Sequence, residues 1–195
     1  VRPEVILVST ASQLEAFASA LEGQSAAVFV LDIRGLGDVA DRLRRLGQIF
    51  SSGERAELAA IEFENRIAAV KRRPRAKRPA RVLLQISEAD LFTIGRDSFI
   101  TELIERAGGM SVTADIPGGY PKLSKETALA LDPEVIILSD SPDNLNPNDA
   151  LRNSAAVRSG RVYRVNADIL SRPGPRLADA LEQLAALLRQ EPTGN

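Results

Sequence analysis

Pro3-Glu4-Val5-Ile6-Leu7-Val8-Ser9 returns 130 positions further on as Pro133-Glu134-Val135-Ile136-Ile137-Leu138-Ser139, and each copy leads into a second strand-like run and a patterned helix. After the first copy these are Ala27 to Asp32 and Val39 to Ile49; after the second they are Arg161 to Asn166 and Leu177 to Leu188. Unbroken β-branched and leucine runs of this length suit parallel strands covered on both faces. A strand, helix, strand, helix order stated twice predicts two similar α/β lobes. Matched lobes direct attention to the cleft between them.

Working outward, Leu14, Phe17, Ala18 and Leu21 recur at helical spacing and stop at Gly23, a candidate C-cap. Val39, Leu43, Leu46 and Ile49 form the next helical stripe. Ser51 or Ser52 can cap a longer helix from Glu54 to about Arg73, with Leu58, Ile61, Ile67 and Val70 expected inside and Glu62, Glu64, Arg66 and Arg72 toward water. Pro74 ends it. The second copy has no counterpart, so this helix is expected to connect the lobes.

The second lobe opens at Val82 to Ile86 and is expected to hold three strands, at 82, 135 and 162. Helices are expected at about Ser98 to Ala107, closed by Gly108-Gly109, after Ser124, and at about Asp149 to Val157. Ala167 to Arg172 is expected as a loop. The expected fold is therefore α/β, with two Rossmann-like three-layer lobes joined by a long helix. The divisions are 1–50 for a partial first lobe of two strands, 51–79 for the linking helix and its basic turn, and 80–195 for the second lobe.

Composition narrows the chemistry. The 195 residues include no Cys, His or Trp, and the formal net charge is −1. Thiol catalysis, Cys-ligated zinc and histidine general bases are thereby removed. No stretch approaches the roughly 20 apolar residues of a membrane span. Val1-Arg2-Pro3 opens almost directly into a strand without a signal-peptide pattern, so either the chain is cytosolic or a processed or upstream part precedes it. Lys71 to Arg81 carries seven cationic residues in eleven. No aromatic side chain interleaves with them and no reading element adjoins, so they are expected as a solvated turn and not a nucleic-acid site.

Arg2-Pro3-Glu4-Val5-Ile6-Leu7, the long helix 54 to 73, and the run Gly95-Arg96-Asp97-Ser98-Phe99-Ile100 continuing to Gly108-Gly109 occur in an order that carries a resemblance. So do Gly119-Tyr120-Pro121-Lys122-Leu123-Ser124-Lys125-Glu126, Leu131-Asp132-Pro133-Glu134-Val135 and Arg172-Pro173-Gly174-Pro175-Arg176-Leu177. Together they resemble the periplasmic substrate-binding proteins of ABC importers for cobalamin, haem and ferric siderophores, the class III family whose two lobes share one long helix. The resemblance covers almost the whole chain, beginning in the middle of the family's first lobe.

The resemblance implies a non-catalytic protein of the periplasm, or one lipid-anchored to the outer face of the cytoplasmic membrane. It implies a large organometallic ligand, with cobalamin first, then haem and ferric siderophores, and ABC permease transmembrane subunits as partners. It implies no cofactor. Loops at the carboxyl ends of the strands would line the cleft. There Tyr120 is the candidate for stacking on a flat macrocycle, weighed against a turn tyrosine packed on its own lobe. Phe92 is a second candidate, more expected in the core, and Asp168 lies in the last of these loops. Arg96 and Arg172 are candidates for anionic groups, against the plain alternative of surface arginines.

Glu126 matches the family's acidic residue that docks on permease arginines; its first-lobe twin would precede Val1. A Glu favoured by a helix N-terminus is the simpler alternative. Self-association through the incomplete first lobe is expected from its open sheet edge. Competing readings are a structural or regulatory α/β protein that no longer binds ligand, and a flavodoxin-like enzyme using Asp32, Asp140 or Asp168.

Overall fold

The structure, a computed structural model, describes residues 2–21, 25–74 and 76–190. Strands β1 (Val5–Val8) and β2 (Ala27–Val30) pair in parallel, as expected, with Val5 opposite Ala27 and Val8 opposite Val30. Helix α1 (Ala11–Leu21) crosses between them. Cover on this pair is thin: Leu7, Val28 and Phe17 are exposed, so Phe17 does not belong to a buried stripe. The proposed cap at Gly23 lies outside the described residues.

The second sheet contains β3 (Ala80–Gln85), β4 (Gly109–Ser111), β5 (Val135–Asp140) and β6 (Val162–Asn166), all parallel, in the order β4-β3-β5-β6. It has four strands where the sequence predicted three. Strand β4 escapes periodicity because its Gly-Met-Ser is three residues long, too short to show alternation.

Alternate residues of β3 and β5 feed two cores, which makes the architecture three-layered. Val82, Leu84, Val135 and Ile137 meet α4 (Phe99–Arg106) and α8 (Leu177–Leu187) on one face. Leu83, Ile136 and Leu138 meet Ala128 of α5 (Lys125–Leu131) and Ala156 of α6 (Ala155–Arg158) on the other. Each fully buried Leu or Ile contributes about 1.5–3 kcal/mol.

Helix α2 (Leu36–Ile49) joins the first of these cores through Leu36, Val39 and Ala40. It packs closely on α3 (Gly53–Lys71), where a Cβ on Gly47 would stand 2.3 Å from the Ala56 Cβ. Two α3 expectations fail: Leu58 is 62% and Ile61 42% exposed. Ile67 is half-buried and Val70 is buried, as expected, but they share their stripe with Ala60 and Phe63. At about 100° per residue, Ile61 and Ile67 lie roughly 120° apart around the helix and cannot face one neighbour.

Two further differences are local. The predicted helix at 149–157 is a 3-10 turn (Asp149–Leu151) followed by α6. The predicted loop at 167–172 contains α7 (Ala167–Ser171), started by Asn166, whose Oδ1 accepts the Asp168 N–H at 2.8 Å.

Arg66 ties α3 to α8. Its guanidinium donates to both Glu182 carboxylate oxygens, at 2.9 and 2.7 Å, and to Asp179 at 2.5 Å. Its pKa is raised by the Glu182 and then the Asp179 hydrogen bond, and Arg66 in turn lowers that of Glu182. An ion pair this accessible contributes about 1 kcal/mol or less, so it orients the linking helix while the core supplies the stability.

A carboxylate with a depressed folded pKa stabilises above its unfolded value, near 4.3, and loses that contribution as pH falls through the folded value. Arg66→Met is therefore expected to lower stability by about 1 kcal/mol at pH 7. The gap should close as the pH is taken below about 4. Urea denaturation of both proteins across pH 3–7 measures it.

Candidate functional site

In the order β4-β3-β5-β6 the chain reverses direction between β3 and β5, and the crevice outside the carboxyl ends of such a pair is where open α/β sheets receive ligands. Here that crevice is filled by side-chain amides. Gln85, fully buried at the end of β3, donates from Nε2 to Asn144 Oδ1 at 2.6 Å and to the Asn146 carbonyl at 2.8 Å. Its Oε1 accepts the Asn148 N–H at 2.8 Å. Asn144, also fully buried, returns its Nδ2 to the Gln85 and Ser139 carbonyls. The loop after β5 is thus fixed to the loop after β3, and the space between the two strand ends is closed.

The tips carry aromatic and apolar groups. Residues 91–95 run antiparallel to 118–123, with Phe92 bridged to Lys122, the Thr93 N–H donating to the Pro121 carbonyl and the Gly95 N–H to that of Gly119. Gly95 has no room for a side chain, since a Cβ would meet the Gly118 oxygen at 2.3 Å. The Asp97 carboxylate accepts the Gly118 N–H at 2.9 Å, holding that residue at φ 93°, a left-handed conformation that glycine adopts without strain.

This stitching presents Tyr120, 53% exposed, and Phe92, 38% exposed. Phe92 is therefore not a core residue. Leu91 before it takes φ 52°, unusual for a bulky residue, and is itself buried. That strain is of the kind held at functional sites. Leu145, 47% exposed on the loop pinned by Gln85, adds an apolar group that periodicity could not reveal.

Charge on these loops is largely spent. The Lys122 Nζ lies 2.6 Å from Asp90 and 5.9 Å from the Phe92 ring centroid, a cation–π distance. Arg172 and Asp168 are brought together and pair at 3.2 Å, Arg164 pairs with Asp140, and Arg34 with Asp32 at 2.6 Å. The three acids weighed for catalysis each hold an arginine.

Arg96 is exposed, and its Nη2 donates to the Asp115 carbonyl at 2.8 Å. It lines a 550 Å³ hollow together with Arg34, Asp97, Glu102 and Asp115, at the seam where α2 meets α4. There the Leu36 N–H donates to the Glu102 carboxylate at 3.1 Å. Glu126 stands apart, exposed in the first turn of α5 behind the cap Ser124. Its own backbone N–H, then the Ser124 hydroxyl, holds its carboxyl below the ordinary range. No group of three or more metal-ligating side chains occurs among the described residues, and no described helix is long and apolar enough to cross a membrane.

Residues 1–169 match the family of periplasmic binding proteins. The vitamin B12-binding protein of Vibrio cholerae serotype O1 is 26% identical over 198 residues, covering 96% of this chain and 69% of the relative. The cobalamin-binding protein of Halobacterium salinarum is 27% identical over 175 residues, covering 83% of this chain and 47% of the relative. Among solved structures, the periplasmic vitamin B12-binding protein of Vibrio cholerae superposes with a TM-score of 0.79 at 25% identity, covering 95% of this chain and 74% of that one. A periplasmic haem-binding protein from Roseiflexus sp. RS-1 shares the fold, with a TM-score of 0.76 at 23% identity, covering 95% and 75%. The chain belongs to the periplasmic binding protein family, within the class III branch whose α/β units share a long helix. It is a periplasmic ligand-binding protein, not an enzyme.

Two outcomes follow from the loop geometry. Asn144→Ala leaves buried groups of Gln85 unpaired and should cost about 3 kcal/mol, read as a lower urea midpoint. Gly95→Ala should part the two strands of the ribbon. The chain has no Trp, so its tyrosine emission is readable, and increased quenching of that emission by acrylamide should report the loosened Tyr120.

Proposed function

We propose that the protein binds a corrinoid of the cobalamin class, reversibly and without chemistry, and delivers it to an ABC import permease. The observation that carries this reading is the exposed ribbon of Phe92 and Tyr120, stiffened from behind, with Lys122 on it already paired to Asp90, and Arg172 paired to Asp168. A flat, largely amide-decorated macrocycle asks for apolar contact and hydrogen bonds, which such a surface supplies. Anionic ferric siderophores would favour unpaired cations, and haem would lack a His or Cys axial ligand, leaving Tyr120 or packing to hold it. The names of the Vibrio and Halobacterium relatives agree with the corrinoid choice.

In this reading Tyr120 stacks on the ring and Phe92 and Leu145 extend the apolar floor. Asp168 and Arg172 act as a hydrogen-bonding pair at the rim, and Arg96 reaches the ligand from the seam. The working units are 1–50, 51–79 and 80–195. Glu126, ionised and at the same carboxyl-end pole as Tyr120, docks on permease arginines. The exposed β1–β2 face is the surface for self-association.

Titration with cobinamide, cobalamin, haemin and a siderophore panel, followed by calorimetry, tests the ligand. Corrinoids should bind, and Tyr120→Ala should weaken them about tenfold, the equivalent of one lost stacking contact. Tight binding of a siderophore alone would replace the corrinoid. No binding by any of them would favour the structural alternative. Glu126→Arg should abolish stimulation of the cognate transporter while leaving corrinoid affinity unchanged.

A further inference from the structure

A hollow of about 610 Å³ lies at the opposite pole of the second sheet, where β3, β5 and β6 begin. Its wall includes Arg78, Arg161, Arg189, Glu134, Ser159 and Leu188. Glu134 is committed: it pairs with Arg78 and accepts the Arg81 N–H at 3.0 Å. Burial raises its pKa, but the Arg78 hydrogen bond and then the Arg81 N–H together bring it below the ordinary value. Among the described residues no carboxylate pairs with Arg161 or Arg189. The Arg161 Nε is buried without any hydrogen-bond acceptor, and its Nη2 reaches only the Leu188 carbonyl, at 3.4 Å.

Arginines commonly gather at helix C-termini to meet free carbonyls, and α4, α6 and α8 all end here. Those carbonyls are largely occupied already. The Gly108 N–H takes the Glu105 oxygen, the Gln190 N–H takes that of Leu187, and the Ser159 hydroxyl and N–H take that of Ala155. The arginines therefore present more donors than the protein supplies acceptors.

We propose that this hollow is a second binding site, separate from the corrinoid surface, and that it takes the oxyanion group of a phosphorylated small molecule. The Arg161 and Arg189 forks would grip the phosphate oxygens. A hollow of this volume accommodates more than the phosphate alone and falls in the range of ordinary ligand sites. The basic turn beside it, with Lys77 exposed, raises the local potential for an approaching anion.

The test is thermal unfolding and calorimetry of the intact chain with inorganic phosphate and pyrophosphate, against chloride at equal ionic strength. Saturable stabilisation is expected, rising with the logarithm of concentration. Arg189→Gln, at an exposed position, should weaken it at least tenfold, as should Arg161→Gln. Arg96→Gln should not affect it, and corrinoid affinity should be unchanged in both pole variants. A shift equal in wild type and Arg189→Gln, or no stabilisation by phosphate or pyrophosphate beyond that of chloride together with no retention on phosphatidylglycerol vesicles, would overturn the site. Binding only after deletion of residues 191–195 would also overturn it, by assigning the hollow to the chain's own tail. Vesicles of phosphatidylglycerol that retain wild type but not Arg189→Gln, without any effect of free phosphate, would keep the oxyanion site and identify a lipid headgroup as its source.

Discussion

One buried carboxamide organises the loops at the carboxyl ends of the second sheet. Gln85 ends a strand whose three preceding residues, Val82 to Leu84, are apolar, and it sits where the sheet would otherwise open a crevice. Burying an unpaired amide costs several kcal/mol, so the loop after β5 must supply partners, and Asn144, Asn146 and Asn148 do. Asn148 in turn caps the 3-10 turn through the Ala150 N–H and holds the Glu88 carbonyl. Leu145 is mounted on this satisfied network, and the Phe92 ribbon is joined to the same strand end, where the Ile86 N–H donates to the Phe92 carbonyl. A fully satisfied buried network rigidifies its surroundings, which is what a surface needs if it is to bind a large ligand without first ordering itself.

Much of the fold was legible because both faces of the central strands are buried. Val82 to Leu84 and Val135 to Leu138 read as strands by continuity alone, and Ser98 and Ser124 mark their helices as working caps. Legibility failed where an element was too short to show a period, as in Gly109 to Ser111 and Ala167 to Ser171. It failed also on α3, where Leu58 and Ile61 look buriable but the helix faces were chosen by α2 and α8. Asn166 was a readable signal for α7, since an Asn before a short apolar run is a common start.

The site was legible in part. Tyr120 and Phe92 stand exposed on one ribbon, while Arg172 and Asp168, singled out separately, turn out to be each other's partner. Pairing of that kind depends on which residues a helical turn brings together, and the sequence left the turn as a loop. Gln85 and Asn144 carried no warning beyond polarity, because hydrogen bonds between residues 59 apart leave no local pattern.

The seam between the units has a consequence for the timing of capture. The first turn of α2 is fastened twice, by Asp38 to the Arg34 and Gly35 N–H groups and by Glu102 to that of Leu36. Its apolar face is built into the larger core. Any hinge for the β1–β2 pair is therefore confined to the few residues around Asp32, which already holds φ 42°. Wide opening and closing would have to break those fastenings. Ligand capture should then proceed at the rate of encounter with a standing surface, with residence time set by contacts broken on departure and not by the swing of a lid.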